Sequence, residues 1–395
     1  VNASPLALHG GRPVRAALLP YARQSVDERD VEAVARALRA PWITQGPLVE
    51  EFEATLARTC GARHAVAFAS GTAALHAACW AARLGPEDEV VTTPLTFAAT
   101  AAAVVAQGAR PVFADVEPAT LTLDPAAVKR VAGPRTRALL AVDFAGLPCD
   151  WAALAALARE HGWLLLADAA HSLGATYRGR PVGSLADLTV LSFHPAKLIT
   201  TGEGGAVLTD REDLARRLRE VRHHGIVYLD RARPWRYDVP LPGMNGRLTD
   251  FQCALGLSQL ARLPALLAAR AHLAARYRAR LADSPWVALP ELPADRRHAW
   301  HLFVVLLRLE RLRVDRDTVL EALRAEGIGA QRHYPLVHRL TYYRTRFGYG
   351  PGLCPVAEAL EPRLVTLPLF PAMSAADQDD VLAALDKVLG YFARA

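Results

Sequence analysis

A chain of 395 residues is long enough for two domains built around a large core. With 52% hydrophobic and 22% charged residues it reads as globular, and no apolar run reaches the roughly 18 residues of a membrane span. This argues against a membrane role, and cytoplasmic residence is the expectation. The formal charge of +6 is spread along the chain and not gathered into a basic arm, which argues against nucleic acid and for a small anionic partner.

In chain order, residues 1–25 read as irregular. Asp27 to Leu38 has an acidic first turn and helical spacing. The polar turn 42–47 follows, and Leu48 to Thr59 is a second amphipathic helix. A regular alternation then begins. Strands are expected at His64 to Phe68, Glu89 to Thr92, Pro111 to Ala114, Ala138 to Phe144, Trp163 to Ala167, Leu188 to Ser192 and Ala206 to Thr209. Helices of about ten residues separate several of them, at Ala73 to Arg83, Phe97 to Gln107 and Trp151 to His161. That pattern predicts an α/β fold with a mostly parallel sheet covered on both faces, and ligands bound at the carboxyl ends of its strands. Arg211 to Arg222 is a charged helix. Residues 223–246 form a long aperiodic loop, and a loop of that length is expected to be functional. A long helix, Thr249 to Ala282, links to a smaller α+β region. The expected division is a large domain at 1–250, a linking helix at 251–284 and a small domain at 285–395.

Five scattered cysteines, with no C-x-x-C spacing, suggest neither a zinc site nor a disulfide framework, and no metal is assigned. Lysine usage is more telling. The chain has three lysines, Lys129, Lys197 and Lys387, so 43 of its 46 basic residues are arginine. Arginine serves wherever charge alone is needed but cannot form a Schiff base. Lys129 and Lys387 lie in helical patterns with polar neighbours and read as solvated. Lys197 lies among apolar and small residues in 192–207, SFHPAKLITTGEGGAV. It is either a catalytic amine or a charge closing a loop at the sheet edge, and this stretch alone does not decide.

Four further features bear on that choice. Ser70-Gly71-Thr72 joins a strand to a helix and is either an anion cradle or an ordinary N-cap. Asp168 ends an apolar strand, where a carboxylate can pair with a protonated ring nitrogen or cap the next turn. His171 follows in the small-residue segment DAAHSLGA. Phe97, at a helix start, can stack on a flat ring or pack in the core. Amine, carboxylate, phosphate cradle and stacking aromatic together are what is needed to hold pyridoxal 5'-phosphate (PLP). No glycine fingerprint of a dinucleotide fold is present.

The chain resembles the DegT/DnrJ/StrS family of PLP-dependent sugar aminotransferases, of fold type I. The motifs that carry the resemblance are TQGP at 44–47, SGTAALHAA at 70–78, TTPLTFAATA at 92–101, PVFADVEPATLTLDP at 111–125, DAAHSLGA at 168–175, SFHPAKLITTGEGGAV at 192–207 and NGRLTDFQCALGLSQL at 245–260. FAGLPCD at 144–150 and HGI at 224–226 make it most similar to the PseC-like subgroup, the UDP-4-amino-4,6-dideoxy-N-acetyl-β-L-altrosamine transaminases. The resemblance implies that Lys197 is the Schiff-base lysine, Asp168 the partner of the pyridinium nitrogen and His171 the neighbour of the ring. It likewise implies that Gly71, Thr72 and Ser192 bind the phosphate, that Phe97 stacks and that Asn245 reaches the cofactor of a neighbouring subunit. A homodimer with shared active sites is therefore expected, moving an amino group from L-glutamate to a nucleotide-linked keto-sugar by a ping-pong mechanism. Loop residues Tyr228 and Trp235, with His333 and Tyr334, are expected to hold sugar and nucleotide. Two positions depart from the family pattern: Gly246 replaces an aromatic, and Asp143 stands where relatives often have His. Both are expected to bear on substrate choice.

Overall fold

A computed structural model describes residues 5–230 and 232–394. Seven strands form the central sheet: β1 (His64–Phe68), β2 (Glu89–Thr92), β3 (Arg110–Phe113), β4 (Thr136–Val142), β5 (Leu164–Asp168), β6 (Leu188–Ser192) and β7 (Gly205–Thr209). Their spatial order is β1-β7-β6-β5-β4-β2-β3. Every pairing is parallel except those of β7, which runs antiparallel to both neighbours. The strands are near-continuous apolar runs because both faces are covered. Two separate buried clusters line the opposite faces: Val66, Leu140, Leu166 and Val190 on one, Ala67, Leu191, Ala206 and Leu208 on the other.

The helices reflect local chemistry. In α1 (Glu28–Arg39), Asp27 and Asp30 form a reciprocal capping box. Helix α2 (Pro47–Cys60) starts with proline at its first position, where the missing N–H costs nothing, and stops at Gly61 in the left-handed region. Helices α3 (Gly71–Ala81) and α4 (Ala98–Val105) follow β1 and β2; α5 (Pro125–Val131), α6 (Trp151–His161) and α7 (Glu212–Arg222) complete the large layer. Helix α8 (Asp250–Leu281) is 32 residues long and begins with a second capping box, Thr249 with Gln252.

Beyond α8, strands β8 (Val287–Ala288), β9 (Phe303–Leu307) and β10 (Leu364–Leu367) form a small antiparallel sheet. It is packed by α9 (Arg316–Ala325) and α12 (Ala375–Tyr391), while α10 (Thr341–Phe347) and α11 (Pro355–Leu360) lie between α9 and β10 in sequence.

Two expectations are corrected. Residues 5–20 are not merely irregular: Leu6 and Leu19 are buried in the small-sheet core, and Leu19–Pro20 pairs in parallel with Ile328–Gly329. Lys387 is not a solvated charge. It bonds the fully buried Glu326 at 2.9 Å, and Glu326 also accepts the Ala7 and Val14 amides, so the pair ties the N-terminal segment down. Lys129 is exposed, as expected.

Candidate active site

The carboxyl ends of β1, β2, β5 and β6 open on one cavity of about 420 Å³. Nine sequence-predicted site residues line it: Gly71, Thr72, Phe97, Asp168, His171, Ser192, Lys197, His333 and Tyr334. They come from positions 71 to 334, and the parallel sheet delivers most of them to one edge.

Lys197 sits in a turn that the chain builds from its own residues. The Lys197 amide donates to the His194 carbonyl at 2.8 Å, and His194 Nδ1 accepts the Ala196 amide at 3.2 Å. His194 therefore shapes the turn, a role that its sequence context did not reveal. The Phe193 amide donates to Gly204 O, and Thr200 Oγ1 and the Thr201 amide both donate to Phe193 O. Helix α8 holds the loop from outside, with Gln252 Nε2 donating to Glu203 O at 2.9 Å. Burial pushes the Lys197 amine down to about 8, partly opposed by the Asp168 carboxylate.

Asp168 is the last residue of β5 and nearly fully buried. Its Oδ2 accepts the Thr100 hydroxyl at 2.7 Å and its Oδ1 the Ala170 amide at 3.2 Å. Burial raises its pKa, while those two donors and Lys197 pull it back. His171 is also buried. Its Nε2 pairs with the Tyr334 hydroxyl at 3.2 Å, and its Nδ1 has no partner among the described residues. Burial, with Lys197 and neighbouring histidines, holds it neutral.

At the start of α3 both readings of Ser70-Gly71-Thr72 hold. Ser70 is the N-cap, its Oγ accepting the Ala73 amide at 3.1 Å. That leaves the Gly71 and Thr72 amides, which have no intrahelical acceptor, facing the cavity end of the helix. Gly71 is required by space: a Cβ there would lie 2.8 Å from Ser192 Cβ and 2.9 Å from its Oγ. The cradle is the gap between this helix start and Ser192. Phe97 is the N-cap residue of α4 and 58% exposed, so it is a surface ring at the cavity, not a core residue. These residues fit PLP: an amine, a buried carboxylate, a phosphate-sized cradle at a helix start and an uncovered aromatic face.

Three expected site residues lie elsewhere. Tyr228 (47% exposed) and Trp235 (74% exposed) are both exposed, Tyr228 in a short hairpin pairing Val227–Tyr228 with Tyr237–Asp238. Neither lines the cavity among the described residues. Asn245 is exposed and bridges to His223. Beside it, Arg247 Nη1 bonds His223 Nδ1 at 2.9 Å. Of the two departures, Gly246 is buried against Met244 and Phe68. Asp143 is turned inward and fully buried, accepting the Cys149 amide, Trp151 Nε1 and the Ser172 hydroxyl. It does not line the cavity, and its donors tie the turn at Ser172, behind His171, to the start of α6.

Sequence reading missed Tyr21, Thr96, Thr100 and His301, all of which line the cavity. Tyr21 comes from the N-terminal segment and its ring lies 5.2 Å from that of His333. His301 lies 4.3 Å, ring to ring, from His171. Thr96 and Thr100 stand four residues apart on either side of the start of α4, and that spacing alone did not mark them as a pair.

Comparison with known proteins shows the family. Residues 24–386 match the DegT/DnrJ/EryC1/StrS aminotransferase family. The chain is 40% identical over 377 residues to the spore coat polysaccharide biosynthesis protein SpsC of Bacillus subtilis, covering 94% of this chain and 97% of SpsC. It superposes on Helicobacter pylori PseC, an aminotransferase of pseudoaminic acid biosynthesis, with a TM-score of 0.89 at 30% identity, covering 95% of this chain and all of that one. It also superposes on DesI, solved in the presence of its TDP-sugar product, with a TM-score of 0.88 at 36% identity, covering 98% and 97%. The chain therefore belongs to the DegT/DnrJ/EryC1/StrS aminotransferase family and is a PLP-dependent sugar aminotransferase.

Proposed function

We propose that this enzyme moves the amino group of L-glutamate onto a keto-sugar carried by a nucleotide, with a UDP-linked 4-keto-6-deoxy-N-acetylhexosamine as the first acceptor to test. The observation that carries the reading is the composition of the cavity wall. Although 43 residues of the chain are arginine, none lines the cavity among the described residues. Tyr21, His301, His333 and Tyr334 line it together with Lys197. With no guanidinium fork on this wall among the described residues, the cation for the carboxylates of L-glutamate is assigned to the second subunit, and this wall meets the acceptor through neutral groups. Neutral phenols and imidazoles suit the hydroxyls of a sugar. PseC and DesI, by their descriptions, serve amino-sugar and TDP-sugar chemistry, which supports a nucleotide-linked acceptor here.

PLP supplies the electron sink when bound. In this proposal the Gly71 and Thr72 amides and the Ser192 hydroxyl hold its phosphate, and Phe97 covers its ring. Asp168 holds a proton on the ring nitrogen by keeping a negative charge beside it. Lys197 anchors the cofactor, and once displaced its Nζ takes the proton from the donor's α-carbon. An amine titrating at about 8 is suited to both halves of that task near neutral pH. The low pKa of His171 keeps it an uncharged hydrogen-bonding neighbour. Asn245 and the 226–244 loop are assigned to the active site of a second subunit, in a homodimer of cytoplasmic residence. The exposure of Tyr228, Trp235 and Asn245, and their absence from the cavity lining among the described residues, support that assignment.

The test is a screen of nucleotide-linked 3-keto- and 4-keto-sugars and of keto-cyclitols with L-glutamate, reading the aminated product by mass. Amination of a nucleotide-linked sugar is expected. Amination of free cyclitols alone would replace the nucleotide part of the proposal.

A further inference from the structure

The buried carboxylate at the end of β5 does not stand alone. Thr100 Oγ1 donates to Asp168 Oδ2 at 2.7 Å, and Thr96 Oγ1 lies 2.7 Å from Thr100 Oγ1. Both threonines are buried, Thr100 completely. A hydroxyl has one proton to give. Because Thr100 spends its proton on the carboxylate, the bond between the two hydroxyls must run from Thr96 to Thr100. The chain thus has one direction, Thr96 to Thr100 to Asp168, and each bond polarises the next.

We propose that Thr96 and Thr100 form a hydroxyl relay that keeps Asp168 negatively charged and fixes its orientation toward the ring nitrogen of bound PLP. Both are positioning residues for the reaction, acting through Asp168. The inference rests on the PLP reading of the site given above.

The relay answers a specific problem. A carboxylate with so little solvent is driven toward its neutral form, and a neutral acid cannot hold a cationic ring nitrogen. Other titratable groups are near. Lys197 favours the charge, while Tyr334 and Cys79, both buried with raised pKa values, stay neutral, and His171 is neutral as well. In the free protein, three sources therefore favour ionised Asp168: the Lys197 ammonium, the Ala170 amide and the threonine pair. Lys197 would no longer be a free ammonium once it holds the cofactor. The amide and the relay then remain, and the relay is the one that a side-chain change can remove without disturbing the backbone.

Helical geometry makes the relay possible. Thr96 lies just before the N-cap of α4 and Thr100 in its first turn, so a four-residue spacing stacks the two hydroxyls. In the alanine-rich segment 96–106 a threonine is a poor helix former, and burying its hydroxyl costs stability unless it is bonded.

The experiment measures the dissociation constant of PLP from pH 6 to pH 9 for wild type, Thr100→Val, Thr100→Ser and Thr96→Val. It pairs this with the ¹⁵N chemical shift of the ring nitrogen in ¹⁵N-labelled PLP on each protein. Thr100→Val is expected to weaken PLP binding about tenfold, most strongly at the acidic end, and to move the ¹⁵N signal toward unprotonated pyridine. Thr100→Ser should restore both readouts, and Thr96→Val should give a smaller change of the same sign. A purely structural role would lower the melting temperature while leaving the ¹⁵N shift and the pH dependence of binding at wild-type values, and that result overturns the relay. Should Thr100→Val not fold, Thr96→Val alone decides on the same two readouts. Failure of the wild type itself to bind PLP would overturn the cofactor assignment instead, so the two failures are distinguishable.

Discussion

The Tyr334 hydroxyl meets His171 Nε2 at 3.2 Å, joining the segment after α9 to the large sheet across 163 residues of sequence. The two rings lie 6.1 Å apart, and Phe97 lies 5.8 Å from Tyr334 on another side. The segment after α9 therefore supplies a cavity wall and also fixes the ring that the segment after β5 offers. Removing the phenol leaves buried His171 with neither ring nitrogen bonded among the described residues. Tyr334→Phe is expected to cost about 1 kcal/mol of stability, measured by urea denaturation. It should also raise KM for the sugar acceptor more than it lowers kcat, measured by steady-state assay with mass detection.

Gly71→Ala tests the cradle. The added methyl would sit 2.8 Å from Ser192 Cβ, closer than carbon atoms approach. Either Ser192 or the helix start must shift, so the gap changes shape. PLP binding should weaken at least tenfold, read by fluorescence titration, while the far-ultraviolet circular dichroism stays that of the wild type. Unchanged affinity would show that phosphate does not sit between Gly71 and Ser192.

The pH dependence of PLP capture tests Lys197. With its amine at about 8, the neutral, reactive fraction grows roughly tenfold per pH unit below that value and levels above it. The rate at which the apo-protein captures PLP covalently should follow that curve. Asp168 raises the Lys197 pKa, so Asp168→Asn should move the break to lower pH. A break that moves upward or stays in place contradicts the coupling.

Asp143 predicts a stability profile. Burial raises its carboxyl from the ordinary carboxylate range to about 6, against the pull of three donors. Between about pH 4 and pH 6 the native state then holds more protons at this site than the unfolded chain does. Stability contributed by this group therefore falls as pH rises through that window, by up to roughly 3 kcal/mol. Asp143→Asn abolishes this contribution. Chemical denaturation at several pH values should show the wild type gaining stability relative to the variant as pH drops from 7 to 4.

The sheet was legible because its strands are apolar runs closed by turn residues, a signal that survives without knowledge of neighbours. Elements of two residues, such as Leu19–Pro20 and Val227–Tyr228, were not legible, since they exist only through their partners. Lys197 stood out because arginine had replaced lysine almost everywhere else. Asp168 stood out by its place at a strand end. Tyr21 and His301 gave no such sign: long-range packing brings them to the cavity from the N-terminal segment and the entry to β9. Thr100 was hidden by its setting in an alanine-rich helix, where a hydroxyl reads as incidental. Lys387 was misread because its partner, Glu326, is 61 residues away. The inward turn of Asp143 was not legible, because its sequence neighbours do not show which way its side chain points.

Scarcity of lysine makes the central claim directly measurable. Protein incubated with PLP, reduced with borohydride and digested should carry the cofactor's mass on the peptide containing Lys197. The wild type should also be yellow, and L-glutamate should bleach it. A label found on Lys129 or Lys387, or no label on a folded protein saturated with PLP, would contradict the assignment of Lys197 as the residue on which the enzyme works.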